Sequence, residues 1–540
     1  MTAVDFPTPT ADLIFVNGRV ITINAQDEIA EALAVAGERI VRVGSRAYVE
    51  QTLGRDTRVV DLAGRAIMPG FVENHIHMTN SPNRHWIDCT YATCPSIDDI
   101  VERIAERARE LPPGAWILGR GFQASRLAEG RNPNRFDLDR ATDQHPVGLS
   151  NREAMGWTFN TPGLRKIGVQ DDTPDPVGGP MERDASGRPS GPMWDNTRTA
   201  FIYPNLPVPT MDDLLDGYAW MEAELNRNGV TTAFEAAIRN RREAAAWQRL
   251  RARQAPSLRV AVGPYPLHGD RWEPDDAAST SIFNSGLSTG FGDRWLKLGA
   301  LQMGIDGGVI GQTAALYEPY SNDPTGQKRG SFRASQDAAN DFVARAQANL
   351  WQTGLICHGD HGISRALEAV AHAKQTVPGP DLRHRLEHAY LWTPQLMDRM
   401  AELGVVWNTQ PVLLEVLGQA GVYEQWGDRA RFAFPFRSLL ERGVRISGGS
   451  DWEVGPYNPL LGVDILVNHR FGPEEGGAVL NSDERLTVLQ ALRIYTAGGA
   501  YAAFDEQTNG SLEVGKLADL AVLSADILSV PTNCIRDLQV

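Results

Sequence analysis

Eleven histidines occur in the 540 residues, and their positions are informative. His75 and His77 lie two apart at the end of the apolar run AIMPGFVENHIH (66–77). If that run is a strand, its period of two puts both imidazoles on one face, where they can grip a single cation. An HxH pair alone also fits two packed core histidines. However, His358, His388 and Asp451 each close a further apolar run, GLICHG, HRLEHAYL and VRISGGSDW. Four imidazoles and a carboxylate at one end of a sheet make a nitrogen and oxygen donor set suited to Zn²⁺ or a similar divalent ion. The small residues around Asp451 leave room for a water whose proton a carboxylate can take and return to a leaving group. The bland reading of Asp451 is a helix N-cap, and the two roles are compatible.

Other titratable groups carry two readings each. Lys297 sits in the apolar segment WLKLGAL, where an unpaired ammonium is costly. It is either carboxylated by CO₂, with two oxygens bridging two metals, or paired with a carboxylate such as Asp306. His361, three residues after His358, faces the substrate or is a solvated loop residue. By period two, His384 shares a side with His388 but lies deeper, as a structural group. Trp157 and Tyr203 read as core more readily than as substrate wall, and the GRG at 119–121 is not a phosphate loop.

The elements that must position these residues follow from periodicity. Eight strand candidates run through 66–77, 229–237, 258–267, 294–303, 354–359, 384–391, 404–411 and 444–452, with helix-period segments between successive strands. That pattern predicts an α/β protein, a (β/α)8 TIM barrel over 70–479 whose catalytic residues lie at the C-terminal strand ends. Residues 78–228 are too long for a loop and read as an inserted subdomain with a Gly/Pro-rich lid after the first barrel strand. LIFVNGRVITI, ALAVAGERIVRVG and TRVVDLAGRAIMPG read as three hairpins, and GSLEVGKLADLAVLSAD as strand–turn–strand. Residues 1–69 and 480–540 are therefore expected to form one small β-sandwich from both chain ends.

Composition narrows the class. Lys and Arg number 52 against 67 Asp and Glu, a net charge of −15, which argues against nucleic acid or anionic lipid as partner. The four cysteines form no CxxC and no disulfide framework, which fits a reducing cytosol. With no signal segment and no membrane-length apolar run, a cytoplasmic location is expected.

With these residues in place, the chain resembles the amidohydrolase superfamily, and within it the amidohydrolase-3 branch of formamide-deformylase-like metal-dependent hydrolases. The likeness rests on IMPGFVENHIH, WILGRGF, NPNRFDLDRAT, HPVGL, LKLGALQMGIDGG, TAALYEPY, RHRLEHAYL, NTQP, GGSDW and SLEVGKLADLAVL. It implies hydrolysis of a C–N (amide-type) bond in a small, partly hydrophobic molecule, with one or two Zn²⁺ ions. His75 and His77 would bind one metal and His358 and His388 a second, with Asp451 as ligand and general base and His388 beside it in catalysis. Lys297 would then hold the bridging carboxylated position. Relatives often form dimers or tetramers, which implies a homo-oligomer.

Three departures stand out. Glu-Ala-Met-Gly replaces the branch's usual Gly-His-Ala, with Met155 at a substrate-facing position. The segment ICHGDHG is shorter than usual, which leaves His358 and His361 both open as the ligand, and Glu73-Asn74 replaces the usual Asp. The substrate pocket is expected to include Met155, His361, Gln410, Trp452 and Tyr317. A deaminase, lyase, decarboxylase or isomerase on the same scaffold is the alternative, and a non-catalytic metal-binding scaffold the most remote one.

Overall fold

The computed structural model describes residues 10–152, 155–176, 179–194, 196–266, 280–472 and 476–540. The first nine residues, Glu153 and Ala154 of the departing motif, and residue 267 of the third expected strand lie outside the described residues. The chain is α/β and divides into two compact units, one of residues 1–79, 217–307 and 314–540, the other of 80–216 and 308–313.

In the first unit, strands β1 (Phe71–Ile76), β2 (Val230–Ile238), β3 (Arg259–Pro264) and β4 (Leu296–Leu298) form one parallel sheet. A second parallel sheet orders β5 (Leu301–Gly304), β6 (Thr353–Cys357), β7 (Arg385–His388), β8 (Val406–Thr409) and β9 (Ile446–Gly448). Apart from β4, whose three residues are partly exposed, these strands are almost wholly buried, as expected when both sheet faces are covered. Helices α1 (Met211–Arg227, in this unit from residue 217 on), α2 (Arg241–Arg253), α3 (Gln336–Ala348), α4 (Asp360–Thr376), α5 (Pro394–Leu403) and α6 (Phe436–Glu441) alternate with them, and α7 (Pro459–Asn468) follows β9. Their ends are written in the sequence. Ser335 caps α3, and α5 starts at Thr393-Pro394 and stops at Gly404 in the left-handed conformation.

The chain ends also form sheet, but not through the hairpins the sequence suggests. Leu13–Val16 pairs with Ala32–Ala36 and Arg58–Asp61, whereas Arg19–Ile21 pairs with Ile29–Ala30 and Ala66–Pro69 in a different sheet. The Asn17-Gly18 turn therefore carries the chain between two sheets. Gly18 is needed there because a Cβ would sit 2.4 Å from the Arg65 carbonyl oxygen. The segment after Asp61 makes the same transfer, and only ALAVAGERIVRVG closes as a hairpin. Leu520–Val522 near the C-terminus pairs antiparallel with Ala66–Pro69, so both ends of the chain share a sheet. Phe15, Val20, Leu33, Ile40, Ile67 and Leu512 gather in one apolar cluster that draws on both sheets.

The second unit has its own six-stranded sheet, running from Met181–Arg183 to Ile87–Asp88. It also has a helix, Ile97–Glu110, opened by a Ser96–Asp99 capping box. Trp157 is in its core, and Tyr203 is exposed.

Candidate metal centre

His75 lies in β1 with His77 just beyond, and Asp451 follows β9. One ligand atom from each lies within 4.8 Å of the other two. Asp451 Oδ1 is 3.0 Å from His77 Nε2 and 3.6 Å from His75 Nε2. Donors about 2.0–2.2 Å from a tetrahedral ion are roughly 3.3–3.6 Å apart, so this spacing fits one. His75 Nε2 is buried with no hydrogen-bond partner among the described residues, an orphaned lone pair that a cation would satisfy. The residues present therefore fit a divalent metal.

The strand ends are bent to bring these groups together. Asp451 (φ +53°), His388 (φ +69°) and Ala389 (φ +52°) are all left-handed, which costs a residue with a side chain about 1–2 kcal/mol. Backbone hydrogen bonds hold the bends: Asp451 N–H to His75 O (2.8 Å) and Ala389 N–H to Cys357 O (2.6 Å). Gly449 permits the close approach of β9 to β1, because a Cβ there would lie 2.7 Å from His75 N and from Glu73 Oε1. Glu73 accepts the His75 and Ser450 backbone N–H groups, and burial pushes its carboxyl up to about 7.

His358 and His388 stack face to face (4.6 Å between centroids), and His388 meets His75 edge-on at 4.9 Å. Each of the three rings has an acceptor at Nδ1: Glu387 for His75 (2.8 Å), Asp306 for His358 (3.2 Å), and the Tyr390 hydroxyl for His388 (2.9 Å). The Tyr390 hydroxyl donates onward to Gln410 Oε1 (3.0 Å), so it must accept from His388. With the proton on Nδ1, each ring keeps its Nε2 lone pair for a ligand.

Glu387 also receives Arg385 Nε (2.7 Å) and Asn408 Nδ2. Burial raises its pKa, but Arg385, His75 and Asn408 together hold the carboxyl at about 2. Burial likewise works against an ionised Asp451, yet His77 and the neighbouring imidazoles keep it well below the ordinary carboxylate range. His388 is driven toward neutrality by burial and then by His358.

Of the remaining expected residues, Trp452 and Gln410 adjoin this cluster, and Lys297 requires correction. Its Nζ donates to Asp505 Oδ1 (2.5 Å) and Ala503 O (2.9 Å), and it does not join the histidine cluster. The reason is register. Lys297 belongs to β4, whereas the chain runs on through β5 before Asp306, the residue that touches His358. Its carboxylate partner is thus Asp505 and not Asp306. His361 opens α4 and stacks on Tyr317; burial and then Arg365 lower its pKa. Gln410 is tied to Tyr390, and Trp452 is buried beside Asp451, with its carbonyl accepting His77 N–H (2.9 Å). Met155 lies in the second unit, its N–H on Asn151 Oδ1 (3.0 Å). His384 donates from Nε2 to Gln347 Oε1 (2.9 Å) and accepts Thr353 N–H at Nδ1 (3.2 Å).

Sequence reasoning missed Glu387, Arg385, Tyr390 and Gln302. Glu387 precedes His388, so strict alternation sends the two to opposite faces, and only the positive φ at His388 lets both meet His75. Gln302 Nε2 lies 3.5 Å from Glu387 Oε1.

The model of the amidohydrolase family matches residues 58–540, and the chain belongs to that family. It is accordingly a metal-dependent hydrolase acting on carbon–nitrogen bonds. It is 28% identical to the N-substituted formamide deformylase of Arthrobacter pascens, over 99% of this chain and 97% of that one. It is 26% identical to the putative amidohydrolase YtcJ of Bacillus subtilis (strain 168), over 98% and 97%. The fold resembles that of an uncharacterized metal-dependent hydrolase from Pyrococcus horikoshii OT3, with a TM-score of 0.75 and 21% identity over 96% and 99% of the two chains. No helix among the described residues is long and apolar enough to cross a membrane.

Proposed function

We propose that this enzyme hydrolyses the amide-type C–N bond of a small, partly hydrophobic molecule, with Asp451 as general base at a zinc site. The observation that carries this reading is the convergence of His75, His77 and Asp451, with the stacked His358 and His388 rings beside them. His75, His77 and Asp451 would hold the cation, and His358 and His388 supply the further imidazoles. When bound there, a divalent cation supplies Lewis acidity and lowers the pKa of a coordinated water from 15.7 to about 7. Asp451 takes the proton of the attacking water and passes it to the departing nitrogen, which leaves as a neutral amine. Glu387, Asp306 and the Tyr390 hydroxyl keep His75, His358 and His388 as Nδ1–H tautomers throughout. His388, neutral and buried, faces the reacting groups without adding charge.

We further infer that the two parallel sheets are halves of one eight-stranded barrel, with β4 and β5 as one interrupted strand. The Asp451 N–H to His75 O bond supports closure between β9 and β1. The shared apolar cluster of the terminal sheets supports a β-sandwich from both chain ends, with residues 78–228 as the inserted subdomain.

The likeness to a formamide deformylase nominates N-substituted formamides as first substrates. Asp451→Asn is expected to lower kcat about 10²- to 10⁴-fold, with the circular dichroism spectrum unchanged. Wild-type turnover by the Asn variant would remove Asp451 from the mechanism.

A further inference from the structure

A second group of rings gathers around His361, three residues beyond His358 in the chain. Tyr317, 44% exposed, stacks on the His361 imidazole with centroids 4.3 Å apart and planes 18° apart. Phe332 meets the same imidazole edge-on at 4.8 Å, and the Arg365 guanidinium lies over Phe332 at 3.3 Å. Four π-systems thus form a continuous pile with Tyr317 at its exposed end.

Polar anchors tie this pile to the metal centre. Asp360 Oδ1 accepts the backbone N–H of Tyr317 (3.0 Å) and of His361 (2.9 Å), pinning the loop to the start of α4. Asp306 accepts Ala315 N–H with Oδ2 (2.9 Å), while its Oδ1 accepts His358 N–H (3.0 Å) and faces His358 Nδ1 (3.2 Å). Gly362 makes this packing possible, since a Cβ there would lie 2.2 Å from Asp306 Oδ2. One carboxylate therefore orients a ring of the metal centre and the loop that presents Tyr317.

We propose that the Tyr317–His361–Phe332 pile is a specificity shelf that receives a flat aromatic group of the substrate on the exposed ring of Tyr317, the scissile bond reaching toward His358. A tyrosine already held from behind loses little freedom when a second ring stacks on it. It offers an offset-stacked geometry that a saturated ring cannot use. A merely greasy slot has the opposite preference, because a cyclohexyl group is the more hydrophobic of the two. This inference rests on the C–N hydrolase reading only for the direction of the scissile bond.

The test compares 2-phenylethanol with 2-cyclohexylethanol, neutral probes that are not amides, by titration calorimetry on the full chain. Wild type is expected to bind the phenyl probe several-fold more tightly, and Tyr317→Leu to abolish that preference while metal content stays unchanged. In parallel, the kcat/KM ratio for an aryl and a cyclohexyl member of one N-substituted formamide pair should fall about two- to tenfold in the Leu variant. Equal or tighter binding of the cyclohexyl probe by wild type, or an unchanged preference in Tyr317→Leu, overturns the shelf. If neither formamide is turned over while the phenyl preference persists and depends on Tyr317, the formamide nomination fails and the shelf stands.

Discussion

Glu387→Gln is the perturbation on which the account of the metal centre most depends. The carboxylate is fully buried and is met by four donors: His75 Nδ1, Arg385 Nε, Asn408 Nδ2 and, at 3.5 Å, Gln302 Nε2. A glutamine of the same shape keeps one oxygen, which can serve two of them, and turns an NH₂ toward the others. The Arg385 guanidinium, only 1% exposed at the side chain, also loses its counter-charge. Breaking one side of a buried pair costs about 3–5 kcal/mol. Loss of the acceptor at His75 Nδ1 frees the ring to rotate or change tautomer, and removing such a support typically weakens metal binding about 10- to 100-fold. Urea unfolding of the chelator-treated protein measures the first effect free of the cation's own stabilisation. Competition with a zinc chelator measures the second. Wild-type stability in the Gln variant would refute the buried-pair argument. A stability loss with unchanged zinc affinity would refute the orienting role and leave Glu387 as a folding residue only.

Two further outcomes follow from groups outside the centre. Lys297→Met should leave the number of cations per chain unchanged by elemental analysis, and cost about 1–2 kcal/mol of stability through the lost Asp505 contact; a drop in bound metal would contradict the register argument. Burial lowers His384 from its ordinary 6.5 to about 4, so between those values the unfolded chain binds a proton that the folded ring refuses. Stability is therefore intact above pH 6.5 and falls by about 3 kcal/mol as the pH drops to 4. His384→Gln should flatten that part of the urea-midpoint profile, and an equal acid slope in both proteins would exclude His384 as its source.

What was legible in the sequence is what short-range periodicity controls. Each of the eight expected segments overlaps a strand, because buried parallel strands are unbroken apolar runs between caps and glycines. The HxH pair was legible because residues two apart in an extended segment share a face whatever the rest of the chain does. The hairpin expected at Asn17-Gly18 does not form because Asn-Gly reports a sharp turn and not the partner on its far side, and here the far side belongs to another sheet. Lys297 fails for the same reason on a larger scale. Its apolar neighbours announce burial, but the acid that neutralises it is 208 residues away, and local pattern carries no information about such a partner.

The supporting groups of the metal centre are non-local in just this way: 312 residues separate His75 from Glu387, and 52 separate Asp306 from His358. The choice between His358 and His361 turns on one of them. Both imidazoles lie within a four-residue stretch and are equally plausible ligands by type. Asp306 meets the first ring at Nδ1 and that ring stacks on His388, whereas the second ring packs against Tyr317 and Phe332. A carboxylate on Nδ1 leaves Nε2 free for a cation, so Glu387 and Asp306 favour His75 and His358 as donors, whereas His77 Nδ1 has no hydrogen-bond partner among the described residues.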